Sequence, residues 1–421
     1  MRKMKYSGVA WIGEIPDDWR LIRFKDKYRS VKEIAKGQSV NYERLALTLG
    51  GVVKRPKDDS EGLQPKEFDG YQILRENDFI FKMIDLQNVS TSRVGLSPYT
   101  GLVSPAYIRF SPKKDGRESK FIYYYLMSLY YNQVFNNLGG NGVRSALSAK
   151  DMGEFMIPYP PEETEQKSIC VALDKKSEQI DALISNVQEQ IEKLKAYKQS
   201  FITEVVTKGL DPNVPMKDSG VEWIGEIPSS WNTIRVKQLL RERKERSVDG
   251  KEEPLSMSQK VGLVPTKTLD SIPNMASSFV GAKLAYVDDL VFNKLKAHLG
   301  VFSVSKYDGL VSPDYAVYYS TGVADLKYLE YLFKTPQCIS EFRKRSTGIA
   351  AGLTRLYTDG LFAIECPFPS KDKQHEIVAH LNKKCAQIDE LTAIKQTKIE
   401  KLEQYKRSLI YEYVTGKKEV S

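Results

Sequence analysis

Cysteine is scarce in this sequence of 421 residues, and the four cysteines present form no C-x-x-C pair. They indicate reduced thiols and no disulfide framework. No run of about 18 apolar residues occurs, so no membrane span is predicted. Residues 1–19 begin with the basic residues Arg2, Lys3 and Lys5 but lack the apolar stretch of a signal peptide. Together these absences predict a cytoplasmic protein.

Catalytic motifs are also missing. No Gly-x-x-x-x-Gly-Lys-Ser/Thr loop is present, and Ile157–Pro161 resembles the Asn-Pro-Pro-aromatic motif of adenine methylation but lacks its Asn or Asp. Gly139–Gly142 is interpreted as a turn and not as a cofactor loop. His375, His380 and Cys385 lie five residues apart on one predicted helix, where steps of about 140° keep them from converging on a metal ion. We therefore predict no catalytic residue and no metal site.

The charge balance favours a negatively charged partner. The chain has 63 Lys and Arg against 54 Asp and Glu, a formal net charge of +9. Such a balance is typical of proteins that bind nucleic acid or an acidic membrane surface, but a merely basic protein has it as well. This length, with 41% hydrophobic residues, predicts two or more folded domains.

The sequence contains the same domain twice. Ser7–Lys25 returns 212 positions later as Ser219–Lys237 with 13 of 19 residues identical, and both copies contain Trp-Ile-Gly-Glu-Ile-Pro. Gly101–Tyr107 returns as Gly309–Tyr315 with the shared pattern Gly-Leu-Val-Ser-Pro. A solenoid repeats every 20–50 residues or so, so this longer period indicates a duplicated domain.

Each half ends in a long predicted helix. Gln166–Val206 and Gln374–Val414 share 20 of 41 positions at a constant shift of 208. Apolar residues recur in both at spacings of three, four or seven, as in a coiled coil of about five heptads, about 42 residues and 63 Å long. The predicted seam comprises Ile169, Leu173, Ile180, Leu183, Val187, Ile191 and Leu194, then Ile377, Leu381, Ile388, Leu391, Ile399 and Leu402.

The two helices are expected to pack against each other, because their seams match in period, length and position. The alternative is that each packs on its own globular part. Gly209 and Gly416 are expected to end the helices. Joining the C-terminus to the N-terminus would regenerate the junction that follows the first helix. We therefore expect a circular organisation with pseudo-two-fold symmetry, antiparallel helices and neighbouring termini.

The globular parts are predicted to be α+β. Asn77–Phe81, Asp289–Phe292 and Tyr315–Tyr319 have the patterns of strands, whereas Lys120–Tyr131 and Leu326–Lys334 have those of helices.

Basic residues in polar or glycine-rich segments are the candidates for contacts with phosphates and base edges. The candidates are Lys54, Arg55, Arg93 and Arg144 in the first half and Lys294, Lys296, His298, Arg343, Lys344 and Arg345 in the second. Taken singly, each is explained at least as well as a solvated charge. A further basic group is expected to form an exposed helix end: Arg241, Arg243, Lys244 and Arg246.

These motifs resemble the specificity subunit of Type I restriction–modification systems. The resemblance rests on the Trp-Ile-Gly-Glu-Ile-Pro openings, the Gly-Leu-Val-Ser-Pro strands and the proline-to-glutamine entry to each long helix, such as Pro160 to Gln166. It covers essentially the whole chain. It implies two target-recognition domains, residues 1–162 and 211–370, joined by two antiparallel spacer helices, residues 163–210 and 371–421.

The resemblance implies a non-catalytic subunit that reads a bipartite, asymmetric site in double-stranded DNA. It also implies docking of two modification (adenine-methyltransferase) subunits, with restriction subunits for cleavage. S-adenosylmethionine, ATP and Mg²⁺ are then expected on those partners, with no cofactor in this chain. The second copy has Gly348–Leu353 where the first has Arg144, which puts an equivalent contact by that loop in doubt. The alternative is a duplicated-domain scaffold that binds proteins and reads no DNA.

Residues 26–77 and 238–288 barely align, although they follow the same opening motif. If these stretches carry the readout, the two half-sites differ and the DNA target is not palindromic.

Overall fold

The chain forms two compact units, Met1–Val187 with Thr397–Ser421, and Gln188–Gln396. Each unit contains one globular part and one half of each long helix. The computed structural model describes residues 2–58, 67–84, 86, 93–114, 118–138, 146–259, 261–269, 278–350 and 353–420.

The first unit combines short strands with short helices. Its strands are β1 (Met4–Tyr6), β2 (Glu14–Pro16), β3 (Arg20–Arg23), β4 (Tyr28–Ser30), β5 (Arg44–Thr48), β6 (Gly51–Arg55), β7 (Gln72–Leu74), β8 (Phe79–Phe81), β9 (Val94–Leu96), β10 (Gly101–Val103), β11 (Ile108–Pro112) and β12 (Met156–Tyr159). Its short helices are α1 (Phe24–Lys27), α2 (Ser119–Tyr131), α3 (Val134–Leu138) and α4 (Ala149–Gly153).

Two four-stranded sheets form the body of this unit. One has the order β6-β5-β10-β7, in which β10 is parallel to β5, and the other is the antiparallel sheet β4-β11-β8-β9. Strand β8 is buried at all three positions because both faces are covered. Phe79 and Phe81 pack on Phe24 in the main core, whereas Ile80 joins a smaller cluster with Leu45 on the other side.

The second unit repeats this architecture. Its strands are β13 (Met216–Asp218), β14 (Glu226–Pro228), β15 (Asn232–Arg235), β16 (Leu240–Glu242), β17 (Leu255–Ser258), β18 (Gly262–Pro265), β19 (Lys283–Ala285), β20 (Leu290–Asn293), β21 (Phe302–Val304), β22 (Gly309–Val311), β23 (Tyr315–Ser320), β24 (Thr347–Ala350), β25 (Leu353–Arg355) and β26 (Glu365–Phe368). Its short helices are α6 (Val236–Leu239), α7 (Leu326–Phe333), α8 (Pro336–Arg345) and α9 (Thr358–Phe362).

The order β16-β23-β20-β21 matches β4-β11-β8-β9 of the first unit, and β17-β18 and β19-β22 match the pairs of the other sheet. A parallel bridge between Pro254 and Leu310 links those two pairs, as β5 links to β10. The strands and helices predicted in the globular parts are therefore confirmed, and the α+β class with them.

The expectation of a helix end at residues 241–246 is wrong, although Arg241, Lys244 and Arg246 are exposed as expected. Helix α6 ends at Leu239, and Arg241 belongs to strand β16, which pairs with β23. The guanidinium of Arg243 is bonded to the Asp289 carboxylate at 2.7 and 2.9 Å and lies between two tyrosine rings. This charge therefore serves a structural contact within the unit.

The long helices are α5 (Glu163–Lys208) and α10 (Lys371–Val414), 46 and 44 residues long and so slightly longer than predicted. Gly209 and Gly416 follow them with φ of 82° and 71°, the left-handed conformation that ends a helix. No helix in the described ranges is long and apolar enough to cross a membrane.

The helices pair in antiparallel orientation, as predicted. Within the second unit, Lys395 donates to Gln190 at 2.5 Å and Lys198 pairs with Asp389 at 2.7 Å. Partner numbers thus fall along α10 as they rise along α5.

One interhelical ion pair occurs twice. Lys406 pairs with Asp181 in the first unit at 2.7 Å, the same distance as Lys198 to Asp389 in the second. The shift of 208 converts Asp181 into Asp389 and Lys198 into Lys406, so the repeat preserves the interaction.

Two predicted seam residues are wrong. Leu183 and Leu391 are 51% and 49% exposed, because the seam continues from Ile180 by a step of four to Ile184, and at the matching place in α10 to Thr392. Ile184 packs on the core of the first unit. The other predicted seam residues are buried or partly buried: Ile169, Leu173, Ile180, Val187, Ile191, Leu194, Ile377, Leu381, Ile388, Ile399 and Leu402.

The ends of the chain meet in the first unit, as the circular organisation requires. The backbone N–H of Arg2 donates to Glu419 at 3.2 Å. Gly416 lies against Trp19 just as Gly209 lies against Trp231 in the second unit. The end of α10 therefore contacts the first copy of the Trp-Ile-Gly-Glu-Ile-Pro segment in the way that the end of α5 contacts the second.

Candidate nucleic-acid interface

The hairpin of β5 and β6 carries the first pair of predicted residues, Lys54 and Arg55. Leu45 and Val52 point to the core, and Arg44 and Arg55 lie on the opposite face because successive residues of a strand face opposite sides. Lys54 shares the face of Val52 but is exposed at the end of the hairpin. The turn is closed by Thr48, whose hydroxyl donates to the carbonyl of Gly51 at 2.9 Å.

Beside this hairpin lies an open cleft of about 540 Å³, lined by residues 40–44 and 54–57. Lys54 is paired with Glu43 at 2.5 Å, and this hydrogen bond raises the pKa of Lys54. Arg44 and Lys57 add two positive charges that sequence reasoning missed. A concave surface with several cations suits phosphates and base edges of nucleic acid.

Arg93, a further candidate of the first unit, does not contribute to this surface. The expectation that Arg93 is exposed is wrong, because its side chain is 0% exposed and donates to the carbonyls of Lys82 and Ile84 at 3.2 and 2.8 Å. Arg144 lies outside the described residues.

In the second unit, Lys294 follows β20 and is half-buried, while Lys296 is exposed and precedes the short 3₁₀ turn Ala297–Leu299. His298, within that turn, is half-buried. The turn packs against α8, so these candidates lie near the helix that carries the next group.

Arg343, Lys344 and Arg345 form the last turn of α8. Lys344 and Arg345 pair with the buried Glu341 at 2.8 and 3.5 Å, and cations at this position also stabilise the helix dipole. Arg343 is exposed. Two of these three charges therefore have structural partners.

The cysteine thiols lie in positions that disfavour chemistry. All four are buried, and burial raises the pKa of Cys170 to about 11 and that of Cys366 to about 12. The thiolate is the reactive form, so these residues act as apolar side chains. Within the described ranges, no three His, Cys, Asp or Glu side chains are grouped to hold a metal ion.

The two units carry their hairpins on the same backbone frame. In the first, Leu102 of β10 donates its N–H to the carbonyl of Glu43, and in the second Leu310 of β22 donates to Glu253, both at 2.8 Å. Glu43 and Glu253 are thus equivalent.

Arg44 and Arg55 of the first hairpin have no basic counterpart on this frame, whereas the ion pair of Lys54 with Glu43 recurs as Lys267 with Glu253 at 2.8 Å. The registers of the two hairpins, counted from these glutamates, pair three cations with three uncharged residues: Arg44 is equivalent to Pro254, Lys54 to Pro265 and Arg55 to Thr266. Sequence comparison could not find these equivalences, because the two stretches barely align.

Comparison with known proteins agrees with this architecture. Residues 17–193 match the family model described as Type I restriction modification DNA specificity domain. The "Putative type I restriction enzyme MjaX specificity subunit" of Methanocaldococcus jannaschii is 23% identical over 435 residues, 96% of this chain and 95% of the relative. The "Type I restriction enzyme MjaVIII specificity subunit" of the same organism is 22% identical over 421 residues, 96% of this chain and 93% of the relative.

A chain in a solved structure has a similar fold. It comes from work described as "Structural basis underlying complex assembly and conformational transition of the type I R-M system", with a TM-score of 0.67 and 15% identity over 95% of this chain and 98% of that chain. At this identity the likeness concerns the fold, and it supports two α+β parts with two long helices.

Proposed function

We propose, for a chain that belongs to the family of Type I restriction–modification specificity subunits, that each globular part reads one half of a bipartite DNA site. As a member of this family, the chain is a non-catalytic recognition component. The observation that supports two readers is that both units keep one strand frame while Arg44 and Arg55 of the first hairpin are replaced by Pro254 and Thr266 in the second.

Different surfaces on one frame favour different half-sites. Arg44 and Arg55 can donate hydrogen bonds to phosphates, or two parallel ones to the acceptors of guanine. Pro254 and Thr266, at the equivalent positions of the second hairpin, carry no positive charge. We therefore propose an asymmetric, non-palindromic target.

We further propose that the spacer helices dock two modification (adenine-methyltransferase) subunits. Leu183 and Tyr197 of α5 reappear as Leu391 and Tyr405 of α10, and each of the four side chains is about half exposed. Each unit thus has one exposed leucine and one exposed tyrosine near the seam. A surface that occurs twice suits two identical partners.

Catalysis would then lie on the partner subunits. Modification subunits would bring S-adenosylmethionine, and restriction subunits would bring ATP and Mg²⁺ for translocation and cleavage. Access to chromosomal DNA would place the complex in the cytoplasm.

The readout is tested by exchanging residues 26–162 for those of a relative with another target. Sequencing of methylated adenines should show that one half-site changes while the other stays the same. Two unchanged half-sites would refute readout by this domain. If methylation shows no dependence on this gene at all, the scaffold without DNA readout becomes the better explanation.

Docking is tested with the double variant Leu183→Glu, Leu391→Glu. Because both leucines are half exposed, each change should alter the stability by no more than about 0.5 kcal/mol. Sedimentation of the mixture should show lost assembly with modification subunits. Val248→Glu is the control, since Val248 is 90% exposed in a loop of the second unit. Normal assembly of the double variant would contradict the proposed docking face.

A further inference from the structure

A second set of side chains differs between the two units, and here the second unit carries the charge. The frames align through equivalent backbone hydrogen bonds, Leu147 to Met83 in the first unit and Leu356 to Lys294 in the second, both 3.1 Å. An isolated antiparallel bridge also occurs in both units, between Ile34 and Gln72 of β7 in the first and between Arg246 and Lys283 of β19 in the second. Four uncharged residues then correspond to four basic ones: Ile34 to Arg246, Gln72 to Lys283, Met83 to Lys294 and Ala146 to Arg355.

Three of these cations act on one another. Lys283 is half-buried in β19, where its ammonium donates to the carbonyl of Tyr315 at 2.6 Å. Arg246 is bridged to Lys283 and donates to the carbonyl of Gly281 at 2.7 Å. Burial lowers the pKa of Lys283, and the nearby charges of Lys294 and Arg246 lower it further.

The surrounding carboxylates do not balance this charge. Asp314 and Glu242 face Lys283, but Asp314 is bonded to Arg355 at 2.8 Å and Glu242 accepts from the Thr358 hydroxyl at 2.8 Å. Among the described residues, the four cations face two carboxylates, which leaves an excess of positive charge.

The N–H donors of Lys283 and Arg246 are oriented by the protein, and each side chain has more donors than these hydrogen bonds use. Neutral backbone carbonyls orient Lys283 and Arg246, while an ammonium has three donors and a guanidinium five. Arg246 is exposed and Lys294 is half-buried, so an anion can reach the cluster. Cations grouped around partly desolvated donors form strong charge-assisted hydrogen bonds with phosphate.

We propose that Arg246, Lys283 and Lys294 form a binding site for a DNA backbone phosphate that exists in the second domain and is lacking in the first. The inference rests on the proposed DNA-reading function and adds how the second domain is positioned on DNA. Phosphate contacts set the register of a protein on a duplex. The first domain takes its register from the hairpin that carries Arg44, and the second from this cluster.

The test uses the first unit's own residues, which the shared frame already accommodates. Lys283→Gln is compared with Lys306→Gln, which removes one exposed charge from the turn near the opposite end of β20. The triple variant adds Arg246→Ile and Lys294→Met. Affinity of the complex with modification subunits for its DNA site is measured over a range of salt concentrations.

Lys283→Gln should lower the affinity at low salt about tenfold and make the slope of log K against log salt less negative by about 0.9. The triple variant removes all three cations from the same phosphate, so it should lower the affinity further while the change in slope stays near about 0.9, the value for one phosphate. Lys306→Gln should change neither quantity. An unchanged slope for the triple variant, with or without a loss of affinity, would overturn the phosphate site.

Neutral methylphosphonates placed singly along the second half-site identify the contacted phosphate. The wild-type complex should lose affinity at that position, and Lys283→Gln should lose nothing further there. Equal further losses in both proteins would overturn the proposal. If the wild-type complex binds its DNA site with sequence specificity, an unchanged slope or equal further losses would refute the phosphate site and leave the proposed function standing. Absence of sequence-specific binding by the wild-type complex would instead refute the proposed function.

Discussion

The glycine that opens each Gly-Leu-Val-Ser-Pro strand has no room for a side chain, and this makes a sharp prediction. A Cβ at Gly309 would overlap the carbonyl oxygen of Glu253 and press on Leu255. Gly101 is confined in the same way by Glu43. Neither glycine has positive φ, so the constraint is close approach of two strands and not backbone conformation.

The cost of Gly309→Ala follows from which atom is in the way. A backbone oxygen cannot rotate aside, so β17 must move away from β22 and disturb the small core that includes Leu255 and Val311. Overpacking of this kind costs about 1–3 kcal/mol. In a unit of this size, each kcal/mol lowers the Tm by about 2–4 °C, so we expect a decrease of about 2–12 °C.

Calorimetry of Gly309→Ala beside Gly348→Ala provides the measurement. At Gly348 no atom of the described residues lies within 4 Å of an added Cβ, so this variant should stay within about 0.5 kcal/mol of wild type. Gly101→Ala should also displace the hairpin with Arg44 and weaken DNA binding. Equal melting of Gly309→Ala and Gly348→Ala would refute the reasoning from close approach.

Three further predictions concern charged groups. Lys198→Ala or Asp389→Ala should each cost about 0.2–1 kcal/mol, and the exchange Lys198→Asp with Asp389→Lys should recover most of it in a denaturant double-mutant cycle; no recovery would argue against a specific pair. Arg93→Ala should destabilise the first unit by about 1.5–3 kcal/mol, because the hydrogen bonds of a buried guanidinium to two backbone carbonyls are lost; wild-type stability in urea would contradict this. Burial raises the pKa of Glu330, but the charges of Lys334 and Lys327 outweigh it, so that the pKa is lowered from 4.5. The stability that ionised Glu330 contributes is therefore present above about pH 4.5 and is lost as the pH falls through the lowered pKa. Glu330→Gln should flatten that part of the profile of stability against pH, and an unchanged profile would refute this prediction.

The helices were the most predictable part of the fold, because a repeated apolar period specifies both length and pairing. Even there, Leu183 and Leu391 were misplaced. Several steps of three and four fit the same apolar residues, and only packing decides which step leads from Ile180 to the next seam position. A polar residue at the seam, such as Thr392, gives no apolar signal and could not be identified from the pattern.

The candidate site was less predictable, because exposure of a basic residue depends on contacts distant in sequence. Arg93 looks like a surface charge in a polar segment, yet carbonyls of residues 82 and 84 enclose it. Conversely, Lys283 stands in an ordinary strand pattern, and nothing local to it indicates that Arg246 and Lys294 converge on it.

Duplication explains why the two units can carry basic residues at different positions and still keep the same fold. Features that both units need are repeated: the glycines at 101 and 309, the tryptophans at 19 and 231, and the interhelical ion pair. Positions that the frame does not constrain have diverged in both directions, with cations on the hairpin of one unit and in the strand cluster of the other. If the two domains had kept their cations at equivalent positions, they would approach related half-sites in the same way. Because the cations differ in place, each domain would hold its proposed half-site in its own register, and this divergence is the reason that we propose an asymmetric target.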